Sequence, residues 1–337
     1  MIIAVDAMGG DNAPEAIVKG AVKAVTDFDD ITIKLVGNEN LIFNYLEGED
    51  FNQKRLQVIN ATEVITMEDS PAKAIRKKKD ASIVVASELV KKGDAEALIA
   101  AGSTGAAMSA GVLKVGRLKG IKRPAISTLF PTEKSPTLIL DAGANANAEP
   151  EYLQQFALMG QIYAKKILNR DTPKIGLMNV GEEKGKGSKL ANEAYELIDK
   201  DIRIDNFAGN IEGRDIFTGE YDVIVTDGFT GNVILKTTEG LAEFMFSLLK
   251  DALTSDIKSK LGAFLVKDNL KKMKNKVDYR EYGGAPLLGL NGIVIIGHGS
   301  SDATAFYNAI RVARDTIKEQ VVAEIASEIA RDGEINE

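Results

Sequence analysis

Short apolar runs rich in β-branched residues recur along the chain, and most are followed by a glycine- or asparagine-rich turn and then a helical pattern. These runs predict strands over residues 2–5, 31–36, 56–60, 97–101, 138–141, 174–180, 223–226 and 293–296. Apolar positions at helical spacing predict helices over residues 15–25, 82–91, 152–168 and 303–330. Continuous apolar strands between helices are typical of a parallel sheet buried on both faces. We therefore expect an α/β fold, built as one unit over residues 1–337 because no repeat or linker divides the chain.

One segment departs from this alternation. Residues 258–276 contain seven lysines and one acidic residue, with apolar residues near helical spacing among them. The pattern predicts two amphipathic helices that form a projecting hairpin at about residues 243–278. The apolar cluster Leu261, Phe264, Leu265 and Val266 favours shallow insertion into an anionic membrane leaflet. A dimer interface, an acyl-chain site and a buried helix are the other interpretations of this segment.

The composition excludes several kinds of site. The sequence contains no cysteine, which excludes disulfides, thiolate zinc sites, iron–sulfur clusters and a cysteine nucleophile. A net charge of −7 disfavours nucleic acid as a main partner. The chain begins without a signal-peptide pattern, and no apolar run approaches the roughly 18–20 residues that cross a bilayer. We expect a cytoplasmic protein that uses no metal or cofactor.

Glycine-rich loops follow six of the predicted strands. They cover residues 6–14, 101–106, 141–147, 179–188, 227–232 and 297–302. Because the carboxyl ends of parallel strands meet at one edge of a sheet, we expect all six loops to gather there and to suit a phosphate or another anion. Alternatively, each glycine serves only a tight turn. No loop carries the P-loop or dinucleotide-binding pattern, which disfavours a P-loop NTPase and a nicotinamide dehydrogenase.

Four residues of these loops are candidates for catalysis. His298, the only histidine, can donate a proton to a leaving group or stabilise an oxyanion, unless it is a turn residue that bonds only to backbone. Lys184 can reach a phosphate from its glycine-rich loop, although a loop lysine is commonly a plain surface residue. Asp227 and Asn232 can orient the histidine or bind substrate, with a helix cap as the alternative for Asp227.

The motifs in these loops occur in one characteristic order. They are D-A-M-G-G-D (6–11), R-K-K-K-D-A-S (76–82), A-G-S-T-G-A (101–106), D-A-G-A-N (141–145), N-V-G-E-E-K-G-K-G (179–187), D-G-F-T-G-N (227–232), G-G-A-P-L-L-G (283–289) and G-H-G-S (297–300). Together they resemble the bacterial phosphate acyltransferases of phospholipid synthesis, over nearly the whole chain. One departure is Ala81, where the family pattern has a serine, and it affects only the contacts of that loop.

The resemblance implies a fold and a reaction. The fold is a three-layer sandwich around a largely parallel sheet, similar to isocitrate/isopropylmalate dehydrogenases and phosphate acetyltransferases. The reaction transfers a fatty acyl group from acyl carrier protein to inorganic phosphate. The resemblance further implies a homodimer and a membrane glycerol-3-phosphate acyltransferase that uses the product. From the basic segment 258–276 we expect peripheral attachment to the inner face of the cell membrane. A phosphate acetyltransferase-like enzyme acting on a small acyl-CoA, a metal-dependent decarboxylating dehydrogenase and a non-catalytic anion-binding membrane scaffold are the alternatives.

For this reaction we expect direct attack of phosphate on the thioester, without an acyl-enzyme. Lys184 and the loop amides would hold phosphate, and His298 would protonate the thiolate or bind the oxyanion, with Asp227 and Asn232 in support. The residues predicted to bind phosphate or substrate are Asp6, Gly9, Gly10, Gly102, Ser103, Thr104, Gly105, Asn145, Gly297 and Ser300.

A basic segment is the candidate docking site for the carrier, because acyl carrier proteins are acidic. Its five cations, with no acidic residue between them, are Lys114, Arg117, Lys119, Lys122 and Arg123. A second basic cluster covers residues 76–79. A solvated helix face is the alternative interpretation of either cluster.

Overall fold

The computed structural model describes residues 1–276 and 282–335, without the side chains of 274–276 and 332–335. The strands in this part of the chain are β1 (Ile2–Asp6), β2 (Thr32–Gly37), β3 (Leu56–Asn60), β4 (Ala97–Ala101), β5 (Ala125–Phe130), β6 (Thr137–Leu140), β7 (Ile175–Met178), β8 (Phe207–Ile211), β9 (Val223–Val225), β10 (Ala285–Leu288) and β11 (Ile293–Gly297). The helices are α1 (Glu15–Asp27), α2 (Glu39–Leu46), α3 (Pro71–Lys77), α4 (Ser82–Lys92), α5 (Thr104–Ala110), α6 (Pro150–Ile167), α7 (Lys189–Lys200), α8 (Gly228–Thr254), α9 (Ile257–Leu265), α10 (Lys267–Lys276), α11 (Ala303–Lys318) and α12 (Val321–Ile335).

All eleven strands join one sheet in the order β3-β2-β1-β4-β11-β10-β5-β6-β9-β7-β8. Strands β1, β2, β3, β4 and β11 are parallel to one another, and so are β6, β7, β8 and β9. Three antiparallel pairings separate the two sets, between β11 and β10, β10 and β5, and β5 and β6. Since three reversals leave the direction inverted, the two sets of parallel strands run in opposite directions.

Alternating residues of the first set enter cores on opposite faces of the sheet. On one face, Ile3, Val5 and Ile295 lie in a cluster that includes buried residues of α1 and α11. On the other face, Ala4 and Val294 lie in a cluster with buried residues of α4 and α5. Helices therefore cover both faces of this half, as expected for strands that are apolar at every position.

The second set of strands is covered less evenly. Leu138 and Leu140 of β6 lie in a large core with buried residues of α6, α7 and α12. On the opposite face, Ile139 and Ile224 belong to a much smaller cluster, to which α8 contributes two partly buried residues. Beyond this contact α8 is largely exposed, and its buried residues are Gly228 and Gly231.

The α/β prediction is confirmed, and the eight predicted strands are present with ends within two residues of those expected. Strands β5, β8 and β10 were not predicted. Each is interrupted by residues that weaken a strand pattern, such as Ser127 in β5, Gly209 in β8 and Pro286 in β10. The single helix predicted over residues 303–330 is wrong, because the chain breaks between α11 and α12 at Gln320, which has a φ of 55°.

The two helices predicted in the basic segment are present as α9 and α10. Leu261, Phe264 and Leu265 of α9 are 62%, 72% and 76% exposed. Residues 277 and 278 of the predicted hairpin lie outside the described residues, and the projection of the hairpin stays a prediction. No helix in the described part of the chain is long and apolar enough to span a membrane.

Candidate active site

Three of the predicted loops meet where β1, β4 and β11 end. The amide of Asp11 donates a 2.8 Å hydrogen bond to the carbonyl oxygen of Gly299. A Cβ added at Gly9 would lie 2.3 Å from the carbonyl oxygen of Ala101, and one at Gly102 would lie 2.9 Å from the amide nitrogen of Gly10. These backbones approach so closely that side chains are excluded. The structure thus brings the predicted loops 6–14, 101–106 and 297–302 together.

The α5 helix starts at this junction. The Ser103 hydroxyl accepts a hydrogen bond from the amide of Ala106 and caps the helix, while Thr104 is exposed beside it. A Cβ added at Gly105 would lie 2.9 Å from Cγ of Pro71, so α3 packs directly against this first turn. The predicted substrate residues Ser103, Thr104 and Gly105 therefore lie on one helix start, next to α3.

His298 is exposed on the loop that follows β11. Its Nδ1 lies 2.7 Å from the Ser300 hydroxyl and 3.3 Å from the Ser300 amide nitrogen. Because an amide nitrogen can only donate, Nδ1 is the acceptor, and a neutral ring then carries its proton on Nε2. His298 does bond to backbone, as the alternative interpretation expected, but in a tautomer that can donate a hydrogen bond through Nε2.

Asp6 supports the first loop from beneath. The carboxyl group is buried at the end of β1, and its Oδ1 accepts a 3.1 Å hydrogen bond from the amide of Met8. Burial raises the pKa of Asp6 to about 6, and hydrogen bonds from the Ser82 side chain and the Met8 amide oppose part of this rise. A substantial fraction of the Asp6 side chains is therefore protonated near pH 6.

A second group of predicted residues meets where β6 and β9 end. The amide of Gly228, the first residue of α8, donates a 2.9 Å hydrogen bond to the carbonyl oxygen of Asn145. The Asp227 carboxylate caps α8 by accepting hydrogen bonds from the amide and hydroxyl of Thr230. The Asn232 side chain faces the 141–147 loop, 3.5 Å from where a Cβ on Gly143 would stand. The helix cap expected as the alternative for Asp227 is thus present.

Lys184 lies on the loop after β7, where its ammonium contacts α7. Nζ lies 2.8 Å from Oε1 of Glu196, 4.0 Å from Oδ2 of Asp199 and 4.9 Å from the ring centroid of Tyr195. The hydrogen bond from Lys184 to Glu196 is the main cause that raises the pKa of Lys184. Its side chain is 56% exposed, so these contacts are of the weak surface kind.

The expectation that all six loops share one edge is wrong. Loops after β1, β4 and β11 lie at one edge, and loops after β6, β7 and β9 lie at the other, because the antiparallel strands β10 and β5 reverse the chain direction. The strand registers from β6 through β5 and β10 to β11 place Asp141 level with Val294 of β11, three strands away. Three strand spacings are about 14 Å. Lys184, Asp227 and Asn232 are therefore grouped apart from His298 within one chain.

Three of the five cations predicted to dock the carrier have partners within the chain. Lys114 forms a 2.9 Å ion pair with Glu88. Arg117 donates hydrogen bonds to the backbone carbonyl oxygens four and five residues later. The Arg123 guanidinium lies 5.9 Å from the ring centroid of Tyr152. These three side chains contribute to local structure, whatever else they bind.

The remaining two cations of the basic segment, Lys119 and Lys122, are exposed. The segment is joined to the second group of loops, since the Asn145 side chain donates a 2.8 Å hydrogen bond to the carbonyl oxygen of Pro124. A partner bound at Lys119 and Lys122 would therefore lie near the loop that carries Asn145.

A groove of about 270 Å³ between α6 and α12 contains none of the candidate residues. It is lined by Gln161, Ile162, Lys165, Lys166, Ile202, Arg203, Asp205, Glu324, Glu328 and Arg331. Its cations are paired with acids, for example Lys166 with Glu324 at 3.5 Å and Arg331 with Glu328 at 2.7 Å. This groove is not the candidate site.

Comparison with known proteins assigns the chain to a family. The family described as "Fatty acid synthesis protein" matches residues 1–324. The phosphate acyltransferase of Halothermothrix orenii is 52% identical over 334 residues, which cover 99% of this chain and all of that protein. That of Desulfitobacterium hafniense is 52% identical over 333 residues, 98% of each chain. The chain belongs to the phosphate acyltransferase family.

The fold of this phosphate acyltransferase family member also has a counterpart among solved structures. A phosphotransacetylase from Streptococcus pyogenes superimposes with a TM-score of 0.61 over 94% of both chains, at 18% sequence identity. At that identity the likeness concerns the fold alone, and it agrees with a large, mostly parallel sheet covered by many helices.

Asp141 was not predicted as a residue of the site in this phosphate acyltransferase family member. Asp141 is fully buried at the end of β6 and accepts hydrogen bonds from the segment that leads to Asn145. The signal was an aspartate that directly follows an apolar strand and stands two residues before a glycine, in the motif D-A-G-A-N. The sequence shows this aspartate but not its burial, which depends on the strands that pair with β6.

Proposed function

We propose that this chain transfers a long-chain fatty acyl group from acyl carrier protein to inorganic phosphate, and that the acyl phosphate serves phosphatidic acid and phospholipid synthesis. The chain is an acyltransferase, as its family membership establishes. The observation that supports phosphate as acceptor is the close meeting of three glycine-rich strand ends beside His298, since such loops direct backbone N–H groups at an anion.

In the proposed reaction a phosphate oxygen attacks the carbonyl carbon of the thioester. A C–O bond forms, the carbonyl oxygen becomes an oxyanion, and collapse of this intermediate breaks the C–S bond. The sequence has no cysteine to carry the acyl group as a thioester, which favours direct transfer within a ternary complex. Positioning and charge stabilisation then supply most of the acceleration.

His298 is the proposed donor to the developing oxyanion, or to the departing thiolate. Its neutral tautomer carries the proton on Nε2, because Nδ1 accepts from the amide of Ser300. Thiolates leave readily, with a free thiol pKa of about 8.5, so oxyanion stabilisation matters more than proton transfer. The Ser300 hydroxyl, 2.7 Å from Nδ1, helps to hold the ring in place.

Phosphate is proposed to bind to the amides of the first loop group, which includes Gly9, Gly10, Gly102 and Gly297. Lys184 lies in the second loop group, apart from these amides, so its charge is proposed to act there on an anionic group of the substrates, after its exposed ion pair with Glu196 exchanges. Asp227 and Asn232 are proposed to act from the second loop group. A thioester on the long flexible arm of a carrier protein can extend across both groups.

Acyl carrier protein is proposed to dock on the basic segment 114–123. Lys119 and Lys122 are the exposed cations for an acidic partner, while Lys114, Arg117 and Arg123 shape the segment through their own contacts. The bond from Asn145 to Pro124 supports this placement, because it connects the segment to a loop of the candidate site.

Membrane contact is proposed for α9, through Leu261, Phe264, Leu265 and Val266. These side chains are exposed and neighboured by lysines, which suits the surface of an anionic leaflet. A homodimer is proposed as well, because α8 exposes an apolar surface along its length that a second copy would cover.

We propose that residues 1–337 form one domain related in fold to isocitrate/isopropylmalate dehydrogenases, with the helical hairpin at about 243–278 projecting from it. The single continuous sheet supports this arrangement. A membrane glycerol-3-phosphate acyltransferase is the proposed consumer of the acyl phosphate, and its location agrees with peripheral attachment to the inner face of the cell membrane.

The test compares acyl donors. The purified chain is incubated with palmitoyl acyl carrier protein or with acetyl-CoA, each with and without inorganic phosphate, and free thiol and acyl phosphate are measured. We expect phosphate-dependent release of both products from the carrier substrate. Release from acetyl-CoA alone would move the function to a phosphate acetyltransferase, and no release from either donor would indicate a binding protein.

A further inference from the structure

We propose that Asp141 is a positioning residue: its buried carboxylate folds residues 143–145 into the shape that places Asn145 at the substrate, and holds this loop against the start of α8. This inference rests on the proposed function. Asp141 itself is fully buried and contacts no substrate. Its effect on the reaction passes through Asn145.

The Asp141 carboxylate is surrounded by donors from its own loop. Oδ1 accepts hydrogen bonds from the amides of Ile126 at 3.0 Å, Gly143 at 3.1 Å and Ala144 at 2.9 Å. Oδ2 accepts from the amide of Asn145 at 2.7 Å and from its side-chain Nδ2 at 2.8 Å. Four of the five donors belong to residues 143–145, so one carboxylate fixes both the backbone of this loop and the Asn145 amide group.

The start of α8 closes over the same carboxylate. A Cβ added at Gly228 would lie 2.7 Å from Oδ2 of Asp141 and 2.7 Å from the amide nitrogen of Asn145. One added at Gly231 would lie 1.9 Å from the carbonyl oxygen of Asp141. Both glycines are therefore required for α8 to approach the loop. The helix that carries Asn232 and the loop that carries Asn145 are thus held in one arrangement.

Burying a carboxylate without a cation is costly unless hydrogen bonds compensate. Burial raises the pKa of Asp141, and the hydrogen bonds from Ala144, Asn145, Gly143 and Ile126 oppose that rise. An asparagine at this position cannot reproduce the bonds, since its NH2 group would face N–H donors. The Asn145 Nδ2 group donates both to Asp141 and to the carbonyl oxygen of Pro124, each at 2.8 Å, so these two bonds fix the side-chain amide and Oδ1 is its atom for a substrate.

The test is a double-mutant cycle of Asp141→Asn and Asn145→Ala, with kcat and KM measured for acyl phosphate formation. We expect Asp141→Asn to lower kcat about 100-fold, and the double variant to be no slower than the slower single one, because both changes remove the same placement. A kcat within twofold of wild type for folded Asp141→Asn, or losses that multiply in the double variant, would overturn the proposal. Asp201→Asn, a buried aspartate held by Arg203, is the control that should lower Tm and leave kcat unchanged.

A second variant covers the case in which Asp141→Asn does not fold. Gly228→Ala presses on Oδ2 of Asp141 without altering the carboxylate, and should also lower kcat. Gly213→Ala, in the turn after β8 and outside α8, has open space around the new Cβ and should leave kcat unchanged. Normal kcat in Gly228→Ala would contradict the proposal. If the wild type forms no acyl phosphate, the proposed function fails instead. Hydrogen exchange of the amides of residues 143–145 then tests whether Asp141 holds this loop. Faster exchange in Gly228→Ala than in the wild type supports the proposal, and unchanged exchange contradicts it.

Discussion

At the scale of single residues, the candidate site depends on carboxyl groups that are buried rather than exposed. Asp6 ends β1 beneath the first loop, and Asp141 ends β6 beneath the loop of the second group. In both, Oδ1 accepts from the amide two residues later, of Met8 and of Gly143. The aspartates are readable in the sequence, but their burial is not, because it depends on strands β4 and β9, which pair with β1 and β6 from distant parts of the chain.

Asp6 should make stability depend on pH. Its pKa rises from 3.8 to about 6 in the folded state, so its stabilising contribution is fully present below pH 3.8 and is lost as the pH rises to about 6. Asp6→Asn should therefore raise the free energy of unfolding at pH 7 by about 3 kcal/mol and remove the contribution of Asp6 to the pH dependence between pH 4 and 6. Urea unfolding at pH 4, 5, 6 and 7 measures both.

The control for this experiment is Asp201→Asn. Burial would raise the pKa of Asp201, but hydrogen bonds from Arg203 outweigh it and lower the pKa. Asp201 thus stabilises the fold above its unfolded pKa, and the contribution is lost as the pH falls, the opposite sign to Asp6. Parallel pH curves for the wild type and Asp6→Asn would contradict the burial of an Asp6 carboxyl group without a cation.

His298→Ala tests the proposed oxyanion donor. Removing one donor to an oxyanion typically costs about 100- to 1,000-fold in kcat, and we expect a loss in that range with little change in KM for phosphate. Steady-state kinetics with palmitoyl acyl carrier protein measure this. Ser300→Ala removes the hydroxyl that contacts Nδ1 and should cause a smaller loss. Near-normal turnover of His298→Ala would refute the role.

At the scale of elements, the sequence predicted the apolar strands well and their directions poorly. Runs that are apolar at every position, such as β4 and β11, are recognisable because they are buried on both faces. Strand β10 was missed because of Pro286, and β5 because of its central Ser127. These two strands carry the antiparallel pairings, so missing them led to the wrong expectation that all loops share one edge.

The α9 helix gives a prediction about membranes. Leu261→Glu combined with Phe264→Glu places two charges on its exposed apolar surface and should abolish sedimentation with vesicles containing phosphatidylglycerol. Ile202→Glu changes a residue that is 80% exposed outside this segment, and it should sediment like the wild type. Undiminished sedimentation of the double variant would exclude α9 as the membrane contact.

The basic segment gives a prediction about carrier docking. Lys119→Glu combined with Lys122→Glu should raise KM for acyl carrier protein about tenfold or more and leave KM for phosphate unchanged, because charge complementarity is lost at the surface. Arg117 is unsuitable for this test, since its guanidinium bonds to backbone. Lys91→Glu with Lys92→Glu on α4 is the matched control. Equal effects on both KM values would argue against docking here.

At the scale of the whole molecule, the motifs predicted the family although the topology was not foreseen. The order of short loops is a property of the sequence, and it matches full-length relatives at 52% identity. The loops form two groups at opposite edges of the sheet, about three strands from each other. This division depends on pairings between residues more than a hundred positions apart, such as Leu287 with Ile126. Which candidate residues meet in one chain could therefore not be predicted from local patterns.

The central claim is that phosphate itself accepts the acyl group. The most direct measurement uses phosphate labelled with oxygen-18 at all positions, with palmitoyl acyl carrier protein as donor and mass spectrometry of the product. Direct attack predicts acyl phosphate that retains the whole label, formed in amounts equal to the free carrier thiol and only when phosphate is present. Release of unlabelled fatty acid, or carrier thiol that appears without phosphate, would contradict the claim.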